Sequence, residues 1–349
     1  MRLRREIRQR RLVLACALPW LAIALLLLSS CTEQSGLTKV GAYTGSYRGN
    51  YFYDVCVRGS SALLTDNHGA VVLDITDPTN PRETARLELG YSSFAVDASD
   101  GYLYVGGGAG LVIASFSEEN SPVIVGEFET SGDLYDILVR PPYAFLADLD
   151  GWFEVVNVSD PSAPSKVSRL ECQGSCRGLA IAGNTLYLSD FDAGLQIIDI
   201  ADPTSPRVLE TMPDTAGVSR LHADRELLAA RILDQHVKLF DISTLTSPQL
   251  ICTINAEYGA NLVLTDNEQR PPSDASDPPA AVAPEGAMRL LGIRNGKRGV
   301  SAYDVQDPWN PRLLGYYPIR GGCHGIDYSE GHLLAAMHKL LILKPDGES

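Results

Sequence analysis

The stretch that decides the fold is Ile197-Ile198-Asp199-Ile200-Ala201-Asp202-Pro203-Thr204-Ser205-Pro206, an apolar run that leads into a turn with two prolines. The pattern returns along the chain, with the place of Asp199 found at positions 74, 115, 157, 199, 241 and 304. Four of the steps are 41 or 42 residues long and the last is 63. A fixed period of this length indicates a repeat architecture in which each copy is one supersecondary unit.

Each unit is predicted to hold four short strands. Typical first and second strands are 135–139 and 185–189, and the third strand is the apolar run itself. Proline fixes φ and offers no amide to a strand ladder, so the Asp-Pro-x-x-Pro turn ends the third strand. The fourth strand follows the turn, as at 207–211.

These units resemble the LVIVD repeat of bacterial and archaeal cell-surface proteins, a β-propeller family, over residues 37 to 344. The resemblance implies an all-β ring of four-stranded blades. The segments 323–327, 333–336 and 340–343 supply only three strands of a last unit, and 37–43 reads like the fourth strand at 311–317. We therefore expect a seven-bladed β-propeller over 37–345 that the N-terminal strand closes, because closure protects strand edges.

The amino terminus reads as an export signal. Residues 2–11 carry six arginines and one glutamate, and an apolar run continues to Leu28. Leu28-Ser29-Ser30-Cys31 resembles the lipobox of bacterial lipoproteins, which implies a signal peptide at 1–30, acyl chains on Cys31 and a lipidated tether at 31–36. Thr32, where an aspartate would mark retention, implies the outer membrane of a bacterial cell envelope. An uncleaved signal anchor is the alternative, since about 17 apolar residues can just span a bilayer.

The charge of the chain excludes some classes of partner. The net charge of −14 becomes −19 when residues 1–30, with six arginines and one glutamate, are removed. A nucleic-acid ligand is not expected, because phosphate binding rests on Lys and Arg. A basic membrane-docking patch is not expected either, so acyl chains must hold the protein on the membrane.

The long step between the fifth and sixth anchors contains an insertion at about 268–287. It is rich in proline and poor in apolar residues, so we expect a disordered excursion between the first two strands of blade six. It either covers one face of the ring or is a simple flexible loop.

Two pairs of cysteines are candidates for disulfide bonds. Cys172 and Cys176 lie in a loop between blades, and an exported protein favours a local disulfide there. Cys56 and Cys323 fall on first strands of blades that become neighbours when the ring closes. A bond between them and buried free thiols are both open, with the thiols favoured.

Signatures of catalysis, metals and cofactors are absent from the sequence. The run Gly106–Gly110 is expected to be a β-hairpin rather than a phosphate-binding loop. Of the clustered histidines His324, His332 and His338, the second is predicted at a different strand end from the others, so no metal site is expected. No cofactor is expected.

Acidic residues close several second strands and are expected to bond backbone amides of their own turns. They are Asp66, Asp148, Asp150, Asp190 and Asp192, and the corresponding places in blades five to seven hold Arg231, Arg294 and His338.

Polar and aromatic residues open the first strands on the same face of the ring, which predicts a ligand-binding channel mouth. They are Tyr53, Asp54, Tyr135, Asp136, Arg177, Arg220 and His324. Because none is needed to cover apolar surface, Arg177 and Arg220 are expected to be dispensable for stability.

Two functions fit this mouth. The first is a non-enzymatic binding or assembly module for a protein or glycan partner in the envelope. The alternative is a propeller enzyme, a hydrolase or lyase acting on a polar small molecule or sugar. Converging side chains in a deep pocket would favour chemistry, whereas a broad shallow face would favour protein binding.

Overall fold

The structure is a computed structural model that describes residues 36–46, 51–108, 110–117, 120–224, 226–233, 236–255, 262–265, 290–295, 299–319 and 324–346. The predicted leader, Cys31, most of the predicted tether, the insertion at 268–287 and Cys323 lie outside these ranges. Among the described residues, no helix is both long and apolar enough to cross a bilayer.

The described chain forms seven four-stranded antiparallel sheets, which confirms the predicted seven-bladed β-propeller. In six of the sheets the strands are consecutive in sequence. Blades one to three consist of β2 (Asp54–Arg58), β3 (Ser61–Asp66), β4 (Gly69–Asp74), β5 (Arg82–Glu88); β6 (Ser93–Ser99), β7 (Tyr102–Gly107), β8 (Gly110–Ser117), β9 (Asn120–Phe128); and β10 (Leu134–Arg140), β11 (Tyr143–Asp148), β12 (Trp152–Asn157), β13 (Ser165–Glu171).

The next three blades repeat this order, with one 3-10 turn (Pro213–Thr215) between blades four and five. Their strands are β14 (Cys176–Ala182), β15 (Thr185–Asp190), β16 (Gly194–Asp199), β17 (Arg207–Met212); β18 (Val218–Asp224), β19 (Leu227–Ile232), β20 (His236–Asp241), β21 (Gln249–Asn255); and β22 (Leu262–Thr265), β23 (Leu290–Asn295), β24 (Gly299–Asp304), β25 (Arg312–Tyr317).

The seventh blade joins the two ends of the chain. It contains β26 (Gly325–Ser329), β27 (His332–Ala336) and β28 (Leu340–Pro345), and β1 (Leu37–Tyr43) is its fourth strand. β1 runs antiparallel to β28, with Leu37 opposite Pro345 and Tyr43 opposite Leu340. The N-terminal strand thus lies where the sequence places it.

Seven apolar clusters form the core, one between each pair of neighbouring blades. The first strands, from β2 to β26, lie innermost, and each contacts the first strand of the next blade around the ring. Fourth strands are outermost, and β17 for example buries none of its six residues. This arrangement directs the starts of the seven first strands toward one channel mouth.

The two faces of the ring differ in their turns. We call the face where the first strands begin the upper face, and the face with the turns between third and fourth strands the lower face. On the lower face, aspartates accept hydrogen bonds from amides two residues on, as Asp202 Oδ1 does from Thr204 at 3.0 Å. The hydrogen bond from the Thr204 hydroxyl, and after it the bond from the Thr204 amide, lowers the pKa of the Asp202 carboxyl. These aspartates are turn residues, as the Asp-Pro pattern indicates.

Candidate functional site at the channel mouth

The upper mouth of the channel contains a small cavity. Its lining consists of Tyr53, Phe94, Tyr135, Arg220 and His324. The volume open to the centre of a water molecule is about 20 Å³, which suits a single ordered water rather than a sugar ring. Four of the seven residues predicted for the mouth therefore meet there, together with Phe94.

An arc of aromatic rings surrounds the cavity. The ring centroids of Tyr53 and Phe94 lie 5.1 Å apart, edge to face, and those of Phe94 and Tyr135 lie 6.4 Å apart. His324 continues the arc at 5.7 Å from Tyr53 and 6.4 Å from Tyr51. Edge-to-face contacts of this kind are favourable for aromatic pairs. The rings of the arc thus help to hold one another in place.

Arg220 reaches this arc from blade five and is buried, with 8% of its surface exposed. Its guanidinium carbon lies 4.3 Å from the centroid of the Tyr135 ring. Its Nη1 donates to the Tyr135 carbonyl oxygen at 3.2 Å. The buried cation is therefore held by a π face and a backbone acceptor.

Two carboxylates balance the charge of Arg220. Burial is the main cause that raises the pKa of Asp54 to about 7, the charge of Asp136 adds to the rise, and Arg220 opposes it. Burial likewise raises the pKa of Asp136 to about 6, again opposed by Arg220. One arginine thus offsets two partly desolvated carboxyls, as buried charges require.

The same aspartates connect neighbouring blades. Asp54 Oδ2 accepts a hydrogen bond from the Val96 amide of blade two at 3.2 Å. Asp136 Oδ2 accepts one from the Leu179 amide of blade four at 2.8 Å. Both carboxylates therefore have a structural role. The sequence predicted them only as ligand contacts.

Two further aspartates, deeper in the channel, make the equivalent contact. Asp97 Oδ2 accepts from the Val139 amide at 2.9 Å, and Asp327 Oδ2 accepts from the Val57 amide at 2.7 Å. The second of these bonds joins blade seven to blade one across the closure of the ring. An aspartate inside a first strand is the signal for such a bond, since its carboxylate reaches an amide of the next first strand.

Arg177 lies apart from the cavity. Its guanidinium carbon stacks 3.8 Å from the centroid of the Phe191 ring. The register of β14 shifts between Cys176 and Gly178, and that of β18 shifts between Val218 and Arg220. Arg177 therefore corresponds to Ser219, and Arg220 stands one residue further along its strand.

Phe94 was missed as a mouth residue. It stands at the register shift of β6, between Ser93 and Ala95, as Tyr135 does between Leu134 and Asp136. Alignment of the repeats at this position, rather than a search for charged residues, would have found it.

Asp66, Asp148 and Asp190 accept hydrogen bonds from amides of their own turns, as the turn interpretation predicts for these three acids. Asp148 and Asp190 also accept bonds from the links between blades. Asp148 accepts from the amides of Gly132 and Asp150 at 2.9 and 2.7 Å. Asp190 is buried, and its carboxylate accepts from the Gln173 amide at 2.7 Å. Asp66 contacts the Arg86 guanidinium at 2.7 Å as well as the His68 amide. The side chain of Arg294 lies outside the described part of the chain.

The remaining local predictions concern cysteines, glycines and histidines. Cys172 and Cys176 form a disulfide with their Cα atoms 6.5 Å apart. Gly107 and Gly110 flank the hairpin between β7 and β8, as expected for this glycine run. Within the described ranges, no three His, Cys, Asp or Glu side chains are grouped to hold a metal. His332 opens β27 at the lower end of the blade, whereas His324 lies at the upper mouth.

A sequence profile of the LVIVD repeat matches residues 49–88, 92–130, 131–171 and 173–213. The chain contains four LVIVD repeats. They correspond to blades one to four, so the LVIVD resemblance over 37–344 is shown for the first four units. After these repeats the sequence departs from the pattern: blade five has Thr244-Leu245 where blade four has Asp202-Pro203, and the predicted insertion falls between β22 and β23.

Solved structures agree with the fold. The WD40 β-propeller domain of Doa1 is 12% identical, with a TM-score of 0.65 over 90% of this chain and 98% of that one. The computationally designed Ika8 protein is 10% identical, with a TM-score of 0.59 over 88% and 99% of the two chains. At such identities the likeness concerns the fold alone. Comparison with curated protein sequences gave no significant match.

Proposed function

We propose that this chain is a lipid-anchored protein of the bacterial cell envelope, held by acyl chains on Cys31 at the outer membrane, that binds a protein partner through the upper face of its propeller. It acts as a binding or assembly module and not as an enzyme. The small volume of the channel mouth carries this proposal. Substrate pockets generally measure several hundred Å³, whereas the described residues leave only about 20 Å³ open at this mouth.

The surface around the mouth has the composition of an interaction site. Tyr51 is 46% exposed beside His324, and Arg177 lies flat on Phe191. Aromatic residues and arginine are enriched where proteins meet, because they bury large areas at low cost in side-chain entropy. The charged groups beneath them, Arg220 with Asp54 and Asp136, attract one another, so their charges are balanced without a partner.

A photo-crosslinking experiment tests the binding face. A photoreactive benzoyl-phenylalanine is placed at position 51 on the upper face or at position 123 on the lower rim, where Val123 is 61% exposed. In cells that produce the full chain, we expect a discrete protein adduct from position 51 and none from position 123. Adducts of equal yield would contradict the proposal, and an adduct that glycosidase removes would assign the site to a glycan.

Fatty-acid labelling of the same cells tests the anchor. The proposal requires label on the wild type and none on Cys31→Ala, because the thiol of Cys31 accepts the lipid. Equal labelling of both proteins would remove the anchor from the proposal without affecting the binding face.

A further inference from the structure

Large apolar side chains lie exposed along the lower rim of three consecutive blades. We call this set the lower apolar rim: Val208, Leu209, Leu250, Trp309 and Leu313, which are between 42% and 64% exposed. Trp309 is the most exposed of them. Solitary exposed apolar residues are ordinary, whereas several of them along one edge of a fold indicate a contact surface.

The fold places these residues at equivalent positions. Val208 of blade four pairs with Ile198, Leu250 of blade five with Phe240, and Leu313 of blade six with Tyr303. In blades one, three and seven the same outer-strand position is Glu83, Lys166 or Lys39, and only Ile124 of blade two is also apolar. The lower apolar rim thus spans the neighbouring blades four to six, and blade two exposes Val123 and Ile124, 61% and 41%, at its own lower edge.

Trp309 is not required by its turn. At the same position of the equivalent turns, Thr79, Ser162 and Thr204 donate a hydroxyl hydrogen bond to the turn aspartate at 2.6 to 2.7 Å. Trp309 lacks that hydroxyl, and only its amide bonds Asp307, at 3.1 Å. The indole replaces a stabilising contact and remains in solvent, so its place is explained by an external contact better than by the fold.

The strand that follows the predicted tether begins beside this rim. β1 begins with Leu37 at the lower face of blade seven, and Leu37 shares a cluster with Leu314 and Tyr317 of β25 in blade six. Residues 31–36 span at most about 20 Å when extended, and the seven residues of β1 span about 23 Å. To present the upper face to the membrane, the tether would have to run the full height of the blade.

We propose that the lower apolar rim rests in the interface of the lipid bilayer, with the Trp309 indole at the level of the headgroups and the channel mouth directed away from the membrane. This inference rests on the proposed acylation of Cys31. Tryptophan is enriched at membrane interfaces because its amphipathic ring suits the headgroup level. A small apolar contact strengthens an attachment that acyl chains alone already provide.

Quenching by brominated lipid tests the orientation, and the chain supplies its own control. Trp152 is the first residue of β12 and lies under the Arg169 guanidinium. It is on the upper face of the ring, whereas Trp309 is on the lower face. All samples carry Trp20→Phe, so that the predicted leader contributes no tryptophan emission. The full chain, produced with its own leader, is reconstituted in neutral phosphatidylcholine vesicles, with or without bromine on the acyl chains.

Trp152→Phe leaves Trp309 as the emitter, and Trp309→Phe leaves Trp152. In brominated vesicles we expect the emission of Trp309 to fall about twofold, since an interfacial apolar contact lies within roughly 5–10 Å of the acyl boundary. The emission of Trp152 should remain unchanged. Leu250→Ser in the Trp152→Phe protein should reduce the quenching of Trp309, because the rim loses apolar contact area.

The acylation of each preparation is measured separately by its fatty-acid label. A labelled protein whose Trp309 is not quenched overturns this inference and leaves the anchor intact. If the wild type sediments as a dimer and Trp309→Ser as a monomer, the rim is a dimer contact, and that result likewise overturns this inference. An unlabelled protein overturns the anchor and this inference together.

Discussion

Arg220→Ala is expected to lower the free energy of unfolding by about 3–5 kcal/mol at pH 7.5, the usual cost of removing one partner from a buried charge cluster. Arg220 is 8% exposed, and without it Asp54 and Asp136 remain partly desolvated with no cation between them. Urea denaturation of the purified protein measures the loss. The sequence predicts that Arg177 and Arg220 are both dispensable for stability, whereas the burial of Arg220 leads us to expect that only Arg177 is.

The pH dependence of this loss has a definite sign. The pKa values of Asp54 and Asp136, about 7 and about 6, exceed the unfolded value, which is about 3.9. Between these values the folded protein holds more protons than the unfolded one, so stability falls as pH rises. Removing Arg220 raises both pKa values further. The loss in Arg220→Ala should therefore be smaller at pH 5 than at pH 7.5.

Two matched variants control this experiment. Arg177→Ala removes an arginine that stacks on Phe191 outside the cavity, and we expect a loss of about 1 kcal/mol or less. Adding Asp54→Asn to Arg220→Ala should restore part of the stability, because the amide keeps an acceptor for Val96 without a charge. An equal loss for both single arginine variants, with no dependence on pH, would show that the cluster is not electrostatic in origin.

Deletion of residues 37–43 is expected to have the largest effect, a loss of about 3–6 kcal/mol in the free energy of unfolding. The deletion removes β1 and leaves the edge of β28 unpaired from Leu340 to Pro345. It also removes Leu37, which is 1% exposed, and burial of such a side chain contributes roughly 2 kcal/mol. We expect a lower melting temperature in calorimetry and aggregation through the new edge.

A substitution within the same strand provides the control. Lys39→Ala changes an exposed side chain of β1 and leaves the pairing with β28 in place. Its stability should stay within about 0.5 kcal/mol of the wild type. If the deletion and Lys39→Ala had the same melting temperature, β1 would not be an integral strand of blade seven.

Much of the architecture could be predicted from particular residues. The proline pairs that follow Asp202 and Asp160 end third strands by a local mechanism, and alternating apolar residues between such turns specify strands. The likeness of 37–43 to 311–317 located the fourth strand of blade seven. The disulfide between Cys172 and Cys176 was predicted from their place in one loop between blades of a chain expected to be exported. All of these features depend on neighbours in sequence.

The site was less predictable, because its geometry depends on residues more than 40 positions apart. The sequence alone determined the repeat, the number of blades and the residues that open each first strand. Only the tertiary structure decided that Arg220 of blade five lies against Tyr135 and faces Asp54 and Asp136. Arg220 follows the register shift of its strand, whereas Arg177 stands at the register shift of its own strand. The physical reason is that a strand's pattern specifies which side chains face inward, whereas ring closure and register set which of them meet, and those contacts determine whether a charge serves a partner or the fold.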